Sequence, residues 1–270
     1  MTDLAVIMGA TGGLGSAIVD AFASRGDRVI AVARSRAEVS QLASKYPLSP
    51  SPSGGGQGGG VTGDTADLAS RLAVDDLWER IDRVGTPRWV VNATGGYRAG
   101  KVADSTPDDF TFMMDLNLGT AWWSCRAAAR RMQTVPSPPG EAQRITSSPS
   151  GGGQRITSSP SGGGQGGGCI VNVSSRSALE AEPGAAAYAV AKAGVIKLTE
   201  VLAAELKASG VRVNVIVPAI IDTAVNRQVL PEKLMQKAVA PAEIAAVIAY
   251  LCSDTALAIT GVTIPVYGKF

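Results

Sequence analysis

The order of apolar segments constrains this chain more than any other feature. Short apolar runs at residues 4–8, 29–33, 89–92, 170–174 and 211–217 alternate with longer stretches of helical pattern at 15–24, 37–45, 110–132 and 188–208. The short runs are nearly continuous in Val, Ile, Leu and Ala, so each would be buried on both faces. Strands of that kind, separated by helices, build a parallel sheet with helices packed on both sides. The predicted fold class is α/β, a doubly wound parallel sheet of the Rossmann type. With 270 residues, 45% of them apolar, one large core can be buried, and a single domain over residues 1–270 is expected.

Two segments break this rhythm, at residues 49–60 and 134–168. The unit RITSSPSGGGQ occurs twice, from Arg144 and from Arg155, and SPSGGGQGGG stands at both 51–60 and 159–168. Such sequence buries too little apolar surface to offset its ordering entropy, so both segments are expected to be flexible insertions within the domain. Each falls between a helix and the next strand. That placement predicts the N-terminal edge of the sheet, away from the carboxyl ends of strands where open α/β sheets bind ligands.

Charge and cysteine usage narrow the partners. The formal net charge is +2, and Lys and Arg are scattered, which argues against nucleic acid and for a small molecule. No apolar run reaches the ~18 residues of a membrane span. Cys125, Cys169 and Cys252 are far apart and lack a C-x-x-C spacing, so they read as buried thiols in a reducing compartment rather than a disulfide or zinc framework. The start Met-Thr-Asp has no signal-peptide character, and a cytoplasmic location is expected.

The first apolar run leads into Gly9-Ala-Thr11-Gly12-Gly13-Leu14-Gly15, directly before a helical pattern. Glycines at a strand-to-helix turn let backbone approach a pyrophosphate, which the positive helix N-terminus then holds. The second strand ends with Ala33-Arg34. An NAD site calls for a carboxylate there, whereas a cation suits a 2′-phosphate, so NADP(H) is favoured over NAD(H).

The chain contains no histidine, the usual proton carrier near neutral pH. Tyr188 and Lys192 stand four apart in an Ala-rich helical stretch, which places them on one face with β-carbons about 5 to 6 Å apart. A neighbouring ammonium favours a phenolate, so Lys192 is expected to lower the Tyr188 pKa from its ordinary value of about 10.

Together these pieces resemble the short-chain dehydrogenase/reductase family. The resemblance is carried by Gly9-x-x-x-Gly13-x-Gly15, Asp64, Asn92-Ala-Thr-Gly95, Asn117, Ser174-Ser175, Tyr188-x-x-x-Lys192, and Pro218 followed by Thr223, over nearly all the chain outside the two insertions. It implies catalysis by Asn117, Ser175, Tyr188 and Lys192. Tyr188 would protonate a carbonyl oxygen as hydride arrives from nicotinamide, Ser175 would hold that oxygen, Lys192 would bind the nicotinamide ribose, and Asn117 would complete a water-linked proton path. Cofactor contacts would fall on Gly9, Thr11, Gly13, Leu14, Asp64 near the adenine, Asn92 to Gly95, Ile221 and Thr223. It further implies a carbonyl or alcohol substrate and a homodimer or homotetramer. The chain departs from the family at Met8, Gly12, Ala219 and its last residues.

The substrate wall is expected from residues 95–101, 176–183 and 222–240, with Tyr97, Arg98, Lys101 and Arg227 as candidates to meet a planar or anionic substrate. Residues 222–231 and the Gly-Gly-Tyr loop resemble those of dihydropteridine reductases, a branch of the same family. A dinucleotide fold need not be an enzyme, so a non-catalytic NADP(H) sensor is the alternative. The presence of Ser175, Tyr188 and Lys192 together speaks for catalysis.

Overall fold

A computed structural model describes residues 2–48, 59–133 and 167–268; most of both insertions, at 49–58 and 134–166, lies outside the described residues. Seven strands form one parallel sheet in the order β3-β2-β1-β4-β5-β6-β7. They are β1 (Leu4–Met8), β2 (Arg28–Ala33), β3 (Gly60–Thr65), β4 (Trp89–Asn92), β5 (Cys169–Val173), β6 (Arg212–Pro218) and β7 (Thr263–Val266). Every strand of the alternating pattern is present. Two more, β3 and β7, escape it because they lie at the sheet's edges, where a strand is not buried on both faces: β3 reads Gly-Val-Thr-Gly-Asp-Thr.

The nine helices among the described residues are α1 (Gly15–Ser24), α2 (Arg36–Ala43), α3 (Arg71–Asp82), α4 (Pro107–Met114), α5 (Thr120–Met132), α6 (Ala186–Glu205), α7 (Ala224–Val229), α8 (Glu232–Met235) and α9 (Pro241–Leu251). One face of the sheet is covered through Ile18, Val19 and Phe22 of α1 and Ile244, Ile248 and Leu251 of α9. The other is covered through Leu77 and Trp78 of α3, Cys125 and Ala128 of α5, and Leu202 of α6. Burying a large apolar side chain stabilises by roughly 1.5–3 kcal/mol, so these paired layers dominate the fold. Among the described residues no helix is long and apolar enough to cross a membrane.

Two boundaries differ from expectation. Gly60 is the first residue of β3, in register with Arg28, rather than the last of an insertion, because its backbone completes the ladder to β2. The predicted helix 110–132 is two helices joined by a π turn, Asp115–Gly119, which carries the buried Asn117. The described ends of the insertions do lie at the N-terminal edge: a Cβ on Gly59 would approach Gly26 O to 2.6 Å, one on Gly167 would approach Gly210 O, and Cys169 N donates to Arg88 O at 2.8 Å.

Candidate active site

The strand order reverses between β1 and β4, and the segments leaving their carboxyl ends open a cavity of about 570 Å³. Gly9, Thr11 and Gly12 line it from the first turn, Ala33 and Arg34 from the end of β2, and Ala93, Thr94 and Gly95 from the end of β4. Asp108, Thr111, Phe112, Asp115, Leu116 and Thr120 close it from α4, the π turn and the start of α5.

The glycines of the first turn have separate reasons. Gly9 has φ +80°, and its N–H donates to Val32 O at 2.9 Å. A Cβ on Gly15 would lie 2.0 Å from Gly9 O, so the turn closes only without one. On Gly13 it would lie 2.5 Å from Thr223 Cγ2, placing Gly13 beneath Thr223 rather than on the cavity wall. The Leu14 side chain is buried in the core, which leaves its backbone alone at the turn. Gly12 keeps open space in front of it, since its Cβ would meet nothing nearer than Gly9 O at 3.4 Å. A turn open at Gly12, at a helix N-terminus and over a cavity of this size, fits a dinucleotide.

At Asp64, and at Asn92 where a backbone contact is expected, the side chains are engaged elsewhere. Asp64 lies within β3, and its carboxylate accepts from Arg80 Nε at 3.0 Å and Nη2 at 3.0 Å, off the cavity wall. Asp67, Leu68 and Ala69, just past the end of that strand, take the cavity position. Residues beyond a strand's carboxyl end face the crevice and those inside it do not, a distinction that would have singled out Asp67 once β3 was located. The Asn92 side chain is buried and donates to Asn172 Oδ1 at 2.7 Å, tying β4 to β5; Asn172 donates in turn to Thr199 Oγ1 of α6 at 2.9 Å. Only the residues after Asn92 reach the cavity.

Arg34 is exposed at the cavity wall and, among the described residues, forms no ion pair. On the far side of the first turn, Thr223 Oγ1 caps α7 by accepting from Asn226 N at 3.2 Å, and Asn226 Nδ2 donates to Ile221 O at 2.8 Å. Those bonds hold Ile221 and Thr223 beside Gly13.

The catalytic candidates meet where β5, the π turn and α6 converge. Lys192 is buried, and its Nζ donates to Val173 O at 3.0 Å and lies 5.9 Å from the Tyr188 ring centre. Burial lowers its pKa from 10.5 to about 8. Gly95 is the hinge of the arrangement: a Cβ there would sit 2.8 Å from Asn117 Oδ1 and 2.9 Å from Lys192 Nζ. Asn117 accepts from Gly96 N at 3.2 Å and donates to Gly96 O at 3.0 Å and Met113 O at 3.1 Å, which locks the π turn onto this loop.

The two serines separate by geometry. Ser174 is buried and donates to Lys192 O at 2.7 Å, a structural tie between β5 and α6. The Ser175 hydroxyl acts on Tyr188 and by itself lowers the Tyr188 pKa. The net shift is nevertheless upward, because burial outweighs it and the Glu182 carboxylate adds to the rise. The expected lowering by Lys192 is therefore overturned: desolvation dominates at Tyr188, and Lys192 itself is pushed down by burial.

Of the loop residues expected to meet substrate, Tyr97 packs edge-on to Tyr188 with ring centres 5.2 Å apart. Arg98 is paired with Asp109 at 2.8 Å and stacks on Phe112, and Arg227 is paired with Asp222 at 2.5 Å. Neither guanidinium is free to receive an anion without exchanging partners.

A parallel sheet with a glycine turn at its switch point and a Ser–Tyr–Lys constellation beside it defines a nucleotide-dependent oxidoreductase. Residues 3–155 match the family model described as short chain dehydrogenase, and residues 161–268 match that described as enoyl-(acyl carrier protein) reductase. The chain belongs to the short-chain dehydrogenase/reductase family, whose members use NAD(P)(H), and it is an oxidoreductase acting on CH–OH or C=O groups. It is 28% identical to D-threitol dehydrogenase of Mycolicibacterium smegmatis, covering 99% of this chain and 92% of the relative. It is 27% identical to meso-2,3-butanediol dehydrogenase of Serratia marcescens, covering 97% and 92%. In fold it is similar to the crystal structure of a putative gluconate dehydrogenase from Agrobacterium tumefaciens, with a TM-score of 0.79, 22% identity and coverage of 98% and 94%.

Proposed function

We propose that the protein transfers hydride between NADP(H) and a carbonyl or hydroxyl group of a small molecule, with Tyr188 as general acid and base. The observation that carries this reading is the convergence of Ser175, Tyr188 and Lys192 near the carboxyl end of β5: Lys192 Nζ bonds Val173 O, lies 5.9 Å from the Tyr188 ring centre and stands against Gly95, and Ser175 acts on Tyr188. The bound nicotinamide supplies the hydride in reduction and takes it in oxidation. Ser175 orients the substrate oxygen toward the Tyr188 hydroxyl. Tyr188, whose pKa is raised by burial, is protonated at neutral pH and gives its proton to that oxygen. Lys192 returns a proton to Tyr188 from the interior side, along a water-linked path that Asn117, brought beside it at Gly95, completes.

Arg34 supports the choice of NADP(H): a guanidinium at the end of β2, on the cavity wall and, among the described residues, in no ion pair, suits a 2′-phosphate. Asp67, rather than Asp64, takes the place beside the adenine. Relatives named for threitol and butanediol dehydrogenation favour a small polyol or its hydroxyketone as substrate. A quinonoid dihydropterin is the second reading, favoured by the edge-to-face aromatic pair of Tyr97 and Tyr188, which suits packing against a planar ring.

The test is a substrate panel of hydroxyketones, diols and a dihydropterin, assayed with both nucleotides. Tyr188→Phe is expected to lower kcat by about 10²–10⁴, the contribution of general acid catalysis, while retaining nucleotide binding. Arg34→Asp is expected to raise the KM for NADPH far more than that for NADH. Full activity in Tyr188→Phe removes the mechanism, equal effects of Arg34→Asp on both nucleotides remove the NADP assignment, and nucleotide binding without turnover on the whole panel indicates a sensor.

A further inference from the structure

The Gly95–Lys101 loop, whose Tyr97 packs on Tyr188, and the 176–185 loop, which begins just after Ser175, are joined in the structure. Glu182-Pro-Gly-Ala185 forms a tight turn in which Ala185 N donates to Glu182 O at 3.1 Å and Gly184 has φ +86°. Gly184 O then accepts from Gly100 N at 2.7 Å, in a bridge between Gly100 and Ala185. The backbone of Glu182 is thereby held in place, and its Oε2 accepts from Ser177 Oγ at 2.7 Å, two residues from Ser175.

The charges around this mouth are unequal. Arg98 is matched by Asp109, Arg227 by Asp222, and Arg176 by Glu180 at 3.5 Å. Glu182 has a neutral hydroxyl for a partner and, among the described residues, no cation. Lys101 is exposed on the facing loop, but the charge that acts on both Tyr188 and Tyr97 is that of Glu182.

From this geometry we infer that Glu182 is a specificity-determining residue: its carboxylate at the mouth of the Tyr188 site selects neutral or cationic hydroxy and carbonyl compounds and rejects carboxylates. A neutral polyol meets it with a hydroxyl donor, whereas a carboxylate brings a like charge beside Glu182, where Arg98, Arg176 and Arg227 are already paired with acids. The inference rests on the carbonyl-reductase reading above, and it deepens that reading by naming the charge class of the substrate.

The test compares ketones that differ only in charge, such as methyl acetoacetate and acetoacetate, within a panel of matched ester and acid pairs. In the wild type, kcat/KM should favour the neutral member. Glu182→Gln should lower that preference by about two- to fivefold, the span of an exposed charge interaction, and Glu182→Asp should restore it. Raising the salt concentration should compress the preference of the wild type and not that of Glu182→Gln. The pH at which oxidation of the matching alcohol accelerates should also move down in Glu182→Gln, since a carboxylate that opposes ionisation of Tyr188 is gone. A wild type active on ketones whose neutral-to-acid preference is unchanged by Glu182→Gln overturns the role of Glu182 alone. A wild type inactive on the whole panel overturns the reductase reading and this inference with it.

Discussion

At the scale of single residues, burial sets the chemistry more than pairing does. Lys192 was legible as a partner for Tyr188 from their spacing, and the two do share a face of α6. What spacing could not convey is that Lys192 is enclosed, so its amine titrates at about 8 instead of 10.5. The sign of the consequence follows from linkage. Between about pH 8 and 10.5 the unfolded chain binds a proton at this site that the folded chain does not, so stability should rise with pH across that window. Chemical denaturation of the wild type and of Lys192→Met at several pH values would check this: the wild type should gain stability relative to the variant from pH 8 upward. A constant difference would mean that Lys192 is not desolvated. The serines show the same division. Both stood at the end of a strand in the sequence, and only the packing of Ser174 against Lys192 O leaves Ser175 free to face Tyr188.

At the scale of elements, the site depends on backbones that approach closely. The loop after β4 reaches the π turn and α6 because Gly95 has no side chain. Gly95→Ala would place a methyl within 2.9 Å of both Asn117 Oδ1 and Lys192 Nζ, neither of which is at the end of a freely moving side chain, since Asn117 makes three bonds to neighbouring backbone and Lys192 one. The variant is expected to fold, as the clash is confined to the site, and to lose at least tenfold in kcat, the scale of misplacing a catalytic group by a fraction of an ångström. Circular dichroism together with steady-state kinetics separates the two effects; an unaltered kcat would show that the loop relaxes freely. The π turn was not legible, because Phe110 to Met132 reads as one helical stretch and a single extra residue in a turn leaves little trace in periodicity. β3 escaped for a related reason: the polar Thr-Gly-Asp-Thr of an edge strand carries no buried pattern, so local sequence did not place Asp64 inside a strand.

At the scale of the whole molecule, the sheet separates the cavity from Gly59 and Gly167, the described residues that end the two insertions. The cavity lies beyond the carboxyl ends of β1, β2 and β4, while Gly59 and Gly167 stand beside the chain at Gly26 and Gly210, just ahead of β2 and β6. Replacing residues 135–165 with a short Gly-Ser linker is therefore expected to change kcat/KM by less than about twofold, as substitutions away from buried features change stability little. Kinetics and a sizing measurement on the shortened chain would check both activity and assembly, and a large loss of activity would place the insertion in the catalytic cycle. The sequence by itself determined the layered α/β architecture, the glycine turn and the Tyr188–Lys192 pair, because each is written in local pattern: continuous apolar runs, glycine at a strand end, and a spacing of one helical turn. Only the tertiary structure decided that Asp67 and not Asp64 lines the cavity, that the Asn92 side chain ties β4 to β5, and that burial raises the pKa of Tyr188 while lowering that of Lys192. It also left Glu182, whose charge opposes ionisation of the same tyrosine, bonded to Ser177 and, among the described residues, to no cation. Those outcomes depend on which groups distant segments bring together and how much water they exclude, and no stretch of local sequence carries that information.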